Sequence, residues 1–171
     1  MNSMSKGPCK CEKEKEIEVL LKCKTGNPVT VTVGTVVTTN TLATLTLNNE
    51  HLKNPCTKFE FASNIVTTLF IGTPVIINFQ LFRQCKGETI ARAISPVWVY
   101  SRLSTVVSTF ADTFSFIVCD CDCDCESCLD DCCIYTVVAT TPAVAAGVAG
   151  GIATINNPTF SALVVENKHH C

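Results

Sequence analysis

The residues best suited to chemistry crowd into one stretch, Cys-Asp-Cys-Asp-Cys-Asp-Cys-Glu-Ser-Cys-Leu-Asp-Asp-Cys-Cys at 119–133. Alternate side chains of an extended chain share a face, so Cys119, Cys121, Cys123 and Cys125 would lie on one side and Asp120, Asp122 and Asp124 on the other. Neighbouring thiols on that face would stand ~6.6 Å apart at Cα, the upper edge of disulfide geometry. Bonding across a hairpin fits better. A turn at Glu126-Ser127 would set Cys125 against Cys128 and Cys121 against Cys132, with Cys133 beside them, although Glu-Ser is not a favoured hairpin turn. Soft-metal binding is the rival. Zinc, copper or iron takes thiolates at such spacings, and Cys119, Cys121, Cys125 and Cys128 could supply four. A zinc ribbon, however, uses two separated Cys-x-x-Cys knuckles, and this segment has one. A calcium loop fits worse. Asp120, Asp122, Asp124 and Asp131 fall at positions 1, 3, 5 and 12 of that motif, but its glycine is replaced by Cys125. Disulfide stitching, metal binding and an unstructured acidic loop all remain open from these residues.

Enzymatic constellations are nearly absent. Of the three histidines, His51 sits in the turn-like Asn-Asn-Glu-His, and His169 and His170 stand at the C-terminus beside Cys171. His51 is the one body residue that could activate a thiol, and a solvated turn residue is the simpler reading. The carboxylates gather at the N-terminus and in the acidic segment, so no isolated pair suggests acid–base work. His169-His170-Cys171 reads as a frayed end rather than a metal hook. Trp98 and Tyr100 read as packing residues. No Lys-Ser or Lys-Thr follows the glycines of residues 143–153, which removes a phosphate loop. The expectation is a protein that is no enzyme and carries no cofactor beyond a possible soft metal ion at 119–133.

Composition narrows the partners. With 47% hydrophobic and 16% charged residues in 171, the chain is not disordered throughout. Thirteen basic residues against 15 acidic ones make no basic field, so nucleic acid is not expected as a partner. No apolar run of about 18 residues exists to span a membrane as a helix. The first twenty residues hold no apolar core of a signal peptide. Thirteen cysteines without an export signal conflict with the reducing cytosol. Their odd number leaves at least one free, metal-bound or joined to a partner.

The elements that must position these thiols read as strands. Residues 1–16 are polar and charged, a flexible connector holding Cys9 and Cys11; residues 17–167 form the body and 168–171 a short tail. The body is rich in Thr, Val and Ile, which suit pleated sheets. Val29–Val33 and Leu45–Leu47 alternate with period two. Further strands are expected at Glu16–Cys23, Val36–Leu47, Lys58–Ile71, Pro74–Arg83, Thr89–Tyr100, Thr109–Asp120, Cys133–Ala139 and Phe160–Val165. Breaks are expected at residues 25–28, 48–50, 53–55, 72–74 and 156–158, and a thin strand pair with a glycine bend at 143–153. Eight to ten such strands make an all-β fold, an antiparallel β-sandwich of jelly-roll type.

Cys-Lys-Cys-Glu at 9–12, leading into an all-β body that ends in Phe160-Ser-Ala-Leu-Val-Val-Glu166-Asn167, resembles a clostridial family of cysteine-rich, spore-associated proteins of uncharacterised function. In architecture it is also similar to the endospore appendage subunits of bacilli. That resemblance implies a jelly-roll subunit whose N-terminal connector enters a neighbouring copy and is locked there by disulfides. It implies a homopolymeric, head-to-tail filament at the spore surface or outside the cell. Made in the mother cell and oxidised as that cell lyses, such a protein needs no signal peptide. Cys9 and Cys11 match the connector cysteines. Cys23 and Cys85 stand with them as intersubunit candidates, no motif fixing the acceptor. The acidic cysteine segment departs from the bacillar pattern.

Overall fold

Strict alternation of buried and exposed side chains builds the sheets. In the strand Pro55–Leu69 the chain turns Phe59, Phe61, Ile65 and Leu69 inward and Lys58, Glu60, Ala62 and Asn64 outward. Proline opens this strand, where its missing N–H costs no ladder bond. The structure is a computed structural model that describes residues 19–49, 52, 55–72, 74–121, 132–145 and 150–166. Among the described residues there are ten strands: β1 Val19–Thr25, β2 Val29–Thr32, β3 Thr38–Asn48, β4 Pro55–Leu69, β5 Val75–Cys85, β6 Arg92–Ala93, β7 Trp98–Arg102, β8 Ser108–Asp120, β9 Cys132–Thr141 and β10 Ile152–Glu166.

Every pairing is antiparallel and the pairs nest. β1 and β2 lie on β10, β3 on β9, β4 on β8, and β5 on both β6 and β7. One long hairpin folded over itself produces this order, which is the jelly roll. The first sheet runs β1-β10-β4-β8 and the second β3-β9-β5-β6, with β2 and β7 at their margins. The expected all-β sandwich is therefore the fold. Its core is aromatic: Phe59 meets Tyr135 of the other sheet at 4.5 Å between ring centroids, and Phe61 meets Phe79 at 5.9 Å.

Along one side the two sheets are clasped by their edge strands. Trp98 of β7 stacks on Phe116 of β8 at 4.2 Å. Two residues on, the Tyr100 hydroxyl donates to Asp112 at 2.7 Å and its ring meets Phe114 edge-on. Two residues further, Arg102 donates through Nε and Nη2 to both oxygens of Asp112 and lies over the Phe110 ring. Alternation on both strands thus places a stack, a hydroxyl bond and an ion pair in one row. Hydrogen bonds from Arg102 and then Tyr100 hold the Asp112 carboxyl below its ordinary range. Burial, followed by the bond to Asp112, pushes the Tyr100 phenol up.

Three expectations are corrected. The single strand at Thr89–Tyr100 is two short ones, because Pro96 has no N–H for the ladder. There the Leu81 N–H donates to the Ser95 hydroxyl instead, at 2.9 Å. Asn156-Asn157-Pro158 does not break the chain. It is a bulge inside β10, where the register shifts between Asn156 and Thr159 and Asn157 takes φ 49°, a left-handed value asparagine tolerates. The thin strand pair at 143–153 is not formed by the described part of that stretch. Residues 142–145, 150 and 151 are irregular, and β10 starts at Ile152.

Candidate cross-linking site

The register gathers the described cysteines toward one pole of the sandwich. β4 and β9 begin there, and β5, β8 and β10 end there. Cys85 and Cys133 are directly opposed partners of β5 and β9. The adjacent pair is joined by a bond from Lys86 N–H to the Cys132 carbonyl. Cys85 and Cys133 therefore occupy a non-hydrogen-bonded position, where facing residues come closest. They form a disulfide with Cα atoms 4.0 Å apart, buried under the second sheet. The turn that follows is tightened by Gly87 at φ +93° and by the Cys85 N–H, which donates to the Glu88 carboxylate at 2.6 Å.

The second disulfide joins Cys56 at the start of β4 to Cys121 just beyond β8, with Cα atoms 4.3 Å apart. It extends the register in which Thr57 faces Asp120. Two expectations fall here. Cys85 is closed within the chain by Cys133 and is not available to a neighbouring subunit. Cys121 does not face Cys132, because β8 and β9 belong to opposite sheets and form no hairpin. Cys56 was missed by the sequence reading, since it stands alone after a turn-like Asn-Pro; only the pairing of β4 with β8 brings it to Cys121. Residues 122–131, with Cys123, Cys125 and Cys128, lie outside the described residues, as do Cys9, Cys11, His51, His169, His170 and Cys171.

Three described thiols are unbonded: Cys23 and Cys119 are exposed and Cys132 is half-buried at the start of β9. The register places the first two on the outer face of the first sheet. One row across its four strands reads Cys23, Ser161, Glu60, Ile117, and the next reads Leu21, Leu163, Lys58, Cys119. Strand spacing puts Cys23 and Cys119 about 16 Å apart, far beyond disulfide reach. Neither can therefore close on the other. Around them Leu21, Leu163 and Ile117 are exposed. Lys58, beside Cys119, is paired with Glu60 at 2.5 Å, and that bond pushes its ammonium pKa up.

The first acid of the 119–133 segment is already committed. Asp120 accepts from Arg83 of the second sheet at 3.0 Å, and both side chains are largely buried. Calcium would have to break that pair. The four-thiolate set fares no better, because Cys121 is oxidised. Among the described residues no cluster of three or more Cys, His, Asp or Glu could hold a metal ion. A shallow depression between residues 92–96 and 119–121 borders Cys119. No histidine lies among the described residues to activate that thiol.

Residues 17–165 match the model of a domain of unknown function, DUF4489, and the chain belongs to that family. No curated protein sequence matches it at a significant level. Among solved structures, the chain is similar to T=1 particles derived from infectious bursal disease virus, at 11% identity and a TM-score of 0.40, covering 96% of this chain and 40% of the other. The VP2 subviral particle of the same virus gives 10% and 0.40, with 96% and 42% covered. The virus's Gx strain gives 11% and 0.37, with 99% and 43% covered. The chain spans less than half the length of each.

Proposed function

We propose that this member of the DUF4489 family is a self-assembling structural subunit of an extracellular or spore-surface fibre, cross-linked between subunits by disulfides. The observation that carries the reading is the distribution of sulfur. Among the described residues, two disulfides lie within the chain at the cysteine pole, while Cys23 and Cys119 stay exposed on one apolar-flanked sheet face, too far apart to bond each other. Both thiols stand where a cysteine of a neighbouring copy can reach them.

The connector is residues 1–16. Fifteen extended residues span about 50 Å, against a diameter of roughly 40 Å for a body of this size. The segment is long enough to cross into the next copy, and a head-to-tail contact that does not close builds a filament. β1 lies at the margin of the first sheet, where an added strand would gain main-chain hydrogen bonds. Cys9 and Cys11 then make the contact covalent. Deleting residues 1–15 is expected to leave a folded domain that forms no fibres. Cys9→Ser with Cys11→Ser should still assemble, into fibres that come apart in hot detergent without reductant. Normal fibres from the truncated chain would show that the connector lies elsewhere.

A further inference from the structure

A strand at the margin of a sheet presents a row of unpaired N–H and C=O groups, which proteins shield with lysine, proline, bulges or shortness. The first sheet ends at β1 and β8, the second at β3 and β6. Three of these margins are shielded. β1 carries Lys22 and Lys24, and the Lys22 ammonium reaches the Thr46 carbonyl of β3 at 2.9 Å. β3 is also bulged between Thr41 and Ala43. β6 has two residues, and Pro96 precedes the five of β7 beside it. β8 has none of these devices. Its 13 residues include no Lys, Arg, Pro or Gly, and its pairing with β4 runs unbroken from Ser108 to Asp120. Among the described residues no backbone group bonds its other side. Its two charges are already paired: Asp112 accepts from Tyr100 and Arg102, and Asp120 from Arg83.

We infer that two copies of the chain pair edge to edge through β8, antiparallel about a two-fold axis, so that their first sheets join into one. The occupant follows from the edge itself. A second β8 is already extended and is held by β4 and by the stack of Trp98 on Phe116. Pairing with it orders no loose chain, whereas a free segment would have to be ordered residue by residue. Full overlap centres the axis on Phe114. On the outer face, where Thr109, Ala111, Thr113, Ser115, Ile117 and Cys119 are all exposed, Ala111 then meets Ile117, Thr113 meets Ser115 and Thr109 meets Cys119. Apolar groups face each other and so do hydroxyls, the pairings that stabilise neighbouring strands. Asp112 meets Phe116 and Asp120 meets Ser108, so no like charges are opposed. Alternate positions exchange two bonds each, giving about twelve main-chain hydrogen bonds, as many as a specific interface carries. The same edge serves both copies and closes the contact. β8 and β1 are opposite margins of one sheet. This pairing is therefore separate from the head-to-tail contact at β1 and does not rest on it.

A thiol placed at the register position tests this in the full chain. Under mild oxidation, Thr109→Cys should give a dimer in which the new thiol is bonded to Cys119 of the other copy. Along one strand the two positions stand ~33 Å apart, so the bond can form only between copies. Mixing isotope-labelled with unlabelled chains reads it by peptide mass spectrometry. Sedimentation equilibrium, with free thiols capped by methyl methanethiosulfonate, then gives the affinity. The wild type is expected at twice the monomer mass at tens of micromolar, or at twice the weakened variant's mass where larger assemblies form. Thr113→Lys with Ser115→Lys opposes like charges twice across the axis and should weaken pairing by about 10-fold or more. Thr113→Lys with Ser115→Glu opposes unlike charges there and should pair as the wild type does. Both variants replace exposed outer-face residues, so their thermal midpoints should match. A wild type that stays monomeric, or Lys–Lys and Lys–Glu variants that pair equally, would overturn the inference. So would a new thiol at 109 bonded to Cys9 or Cys11, which would assign this edge to the connector. Fibres lost on deleting residues 1–15 and pairing lost in the Lys–Lys variant are separate results.

Discussion

Replacing Cys85 and Cys133 together by alanine removes one covalent clamp and little else, because both side chains are small and face each other. The bond closes a loop with a sequence separation of 48. The chain-entropy relation for a loop of that length gives about 4 kcal/mol of stability, held mostly in the restricted unfolded state. The Cys56–Cys121 bond closes an overlapping loop with a separation of 65. Measured across that second bond, the path from Cys85 to Cys133 is only slightly shorter, so the expected loss stays at about 4 kcal/mol. For a domain of this size that is a fall in thermal midpoint of roughly 8–16 °C. Urea unfolding followed by tryptophan fluorescence is the assay, since Trp98 is the one tryptophan and stacks on Phe116. The midpoint should drop and the m-value rise, because the unfolded chain expands. In full reductant the wild type and the variant should converge. A loss under about 1 kcal/mol, or an equal gap in reductant, would refute the entropic account of this bond.

Asp112→Asn should destabilise the fold at neutral pH. Since the Asp112 pKa is depressed in the folded state by Arg102 and Tyr100, its contribution is present above the ordinary carboxylate pKa and lost as pH falls through the folded value. The gap between wild type and variant in thermal melts should therefore close in acid. Phe59→Ala, which vacates the contact with Tyr135 and Phe160, should cost about 3–5 kcal/mol in urea unfolding. Gly150→Ala should cost about 1–3 kcal/mol, because its methyl group meets the Val33 backbone carbonyl. Iodoacetamide followed by peptide mass spectrometry should label Cys23 and Cys119 ahead of half-buried Cys132. Cys85 and Cys133 should be spared until the chain is unfolded and reduced.

The all-β sandwich was legible because binary alternation in stretches such as 58–69 and the wealth of Thr, Val and Ile act locally. What failed was long-range. The acidic cysteine run looked like a hairpin because its two flanking strands are neighbours in sequence. A jelly roll sends such strands to opposite sheets, so Cys121 meets Cys56 across 65 positions and Cys85 meets Cys133 across 48. No local rule reaches that far. Asn157-Pro158 was misread for the opposite reason: a strong local turn signal was overridden by thirteen paired positions of β10 with β4.

The central claim is that this chain is a structural subunit that polymerises through interchain disulfides. Negative-stain electron microscopy of the full chain, concentrated under oxidising conditions and then boiled in detergent with and without reductant, tests it most directly. The account predicts thin filaments that survive hot detergent and disappear when reductant is added. Separate particles of single-domain or dimer size in every sample would contradict it.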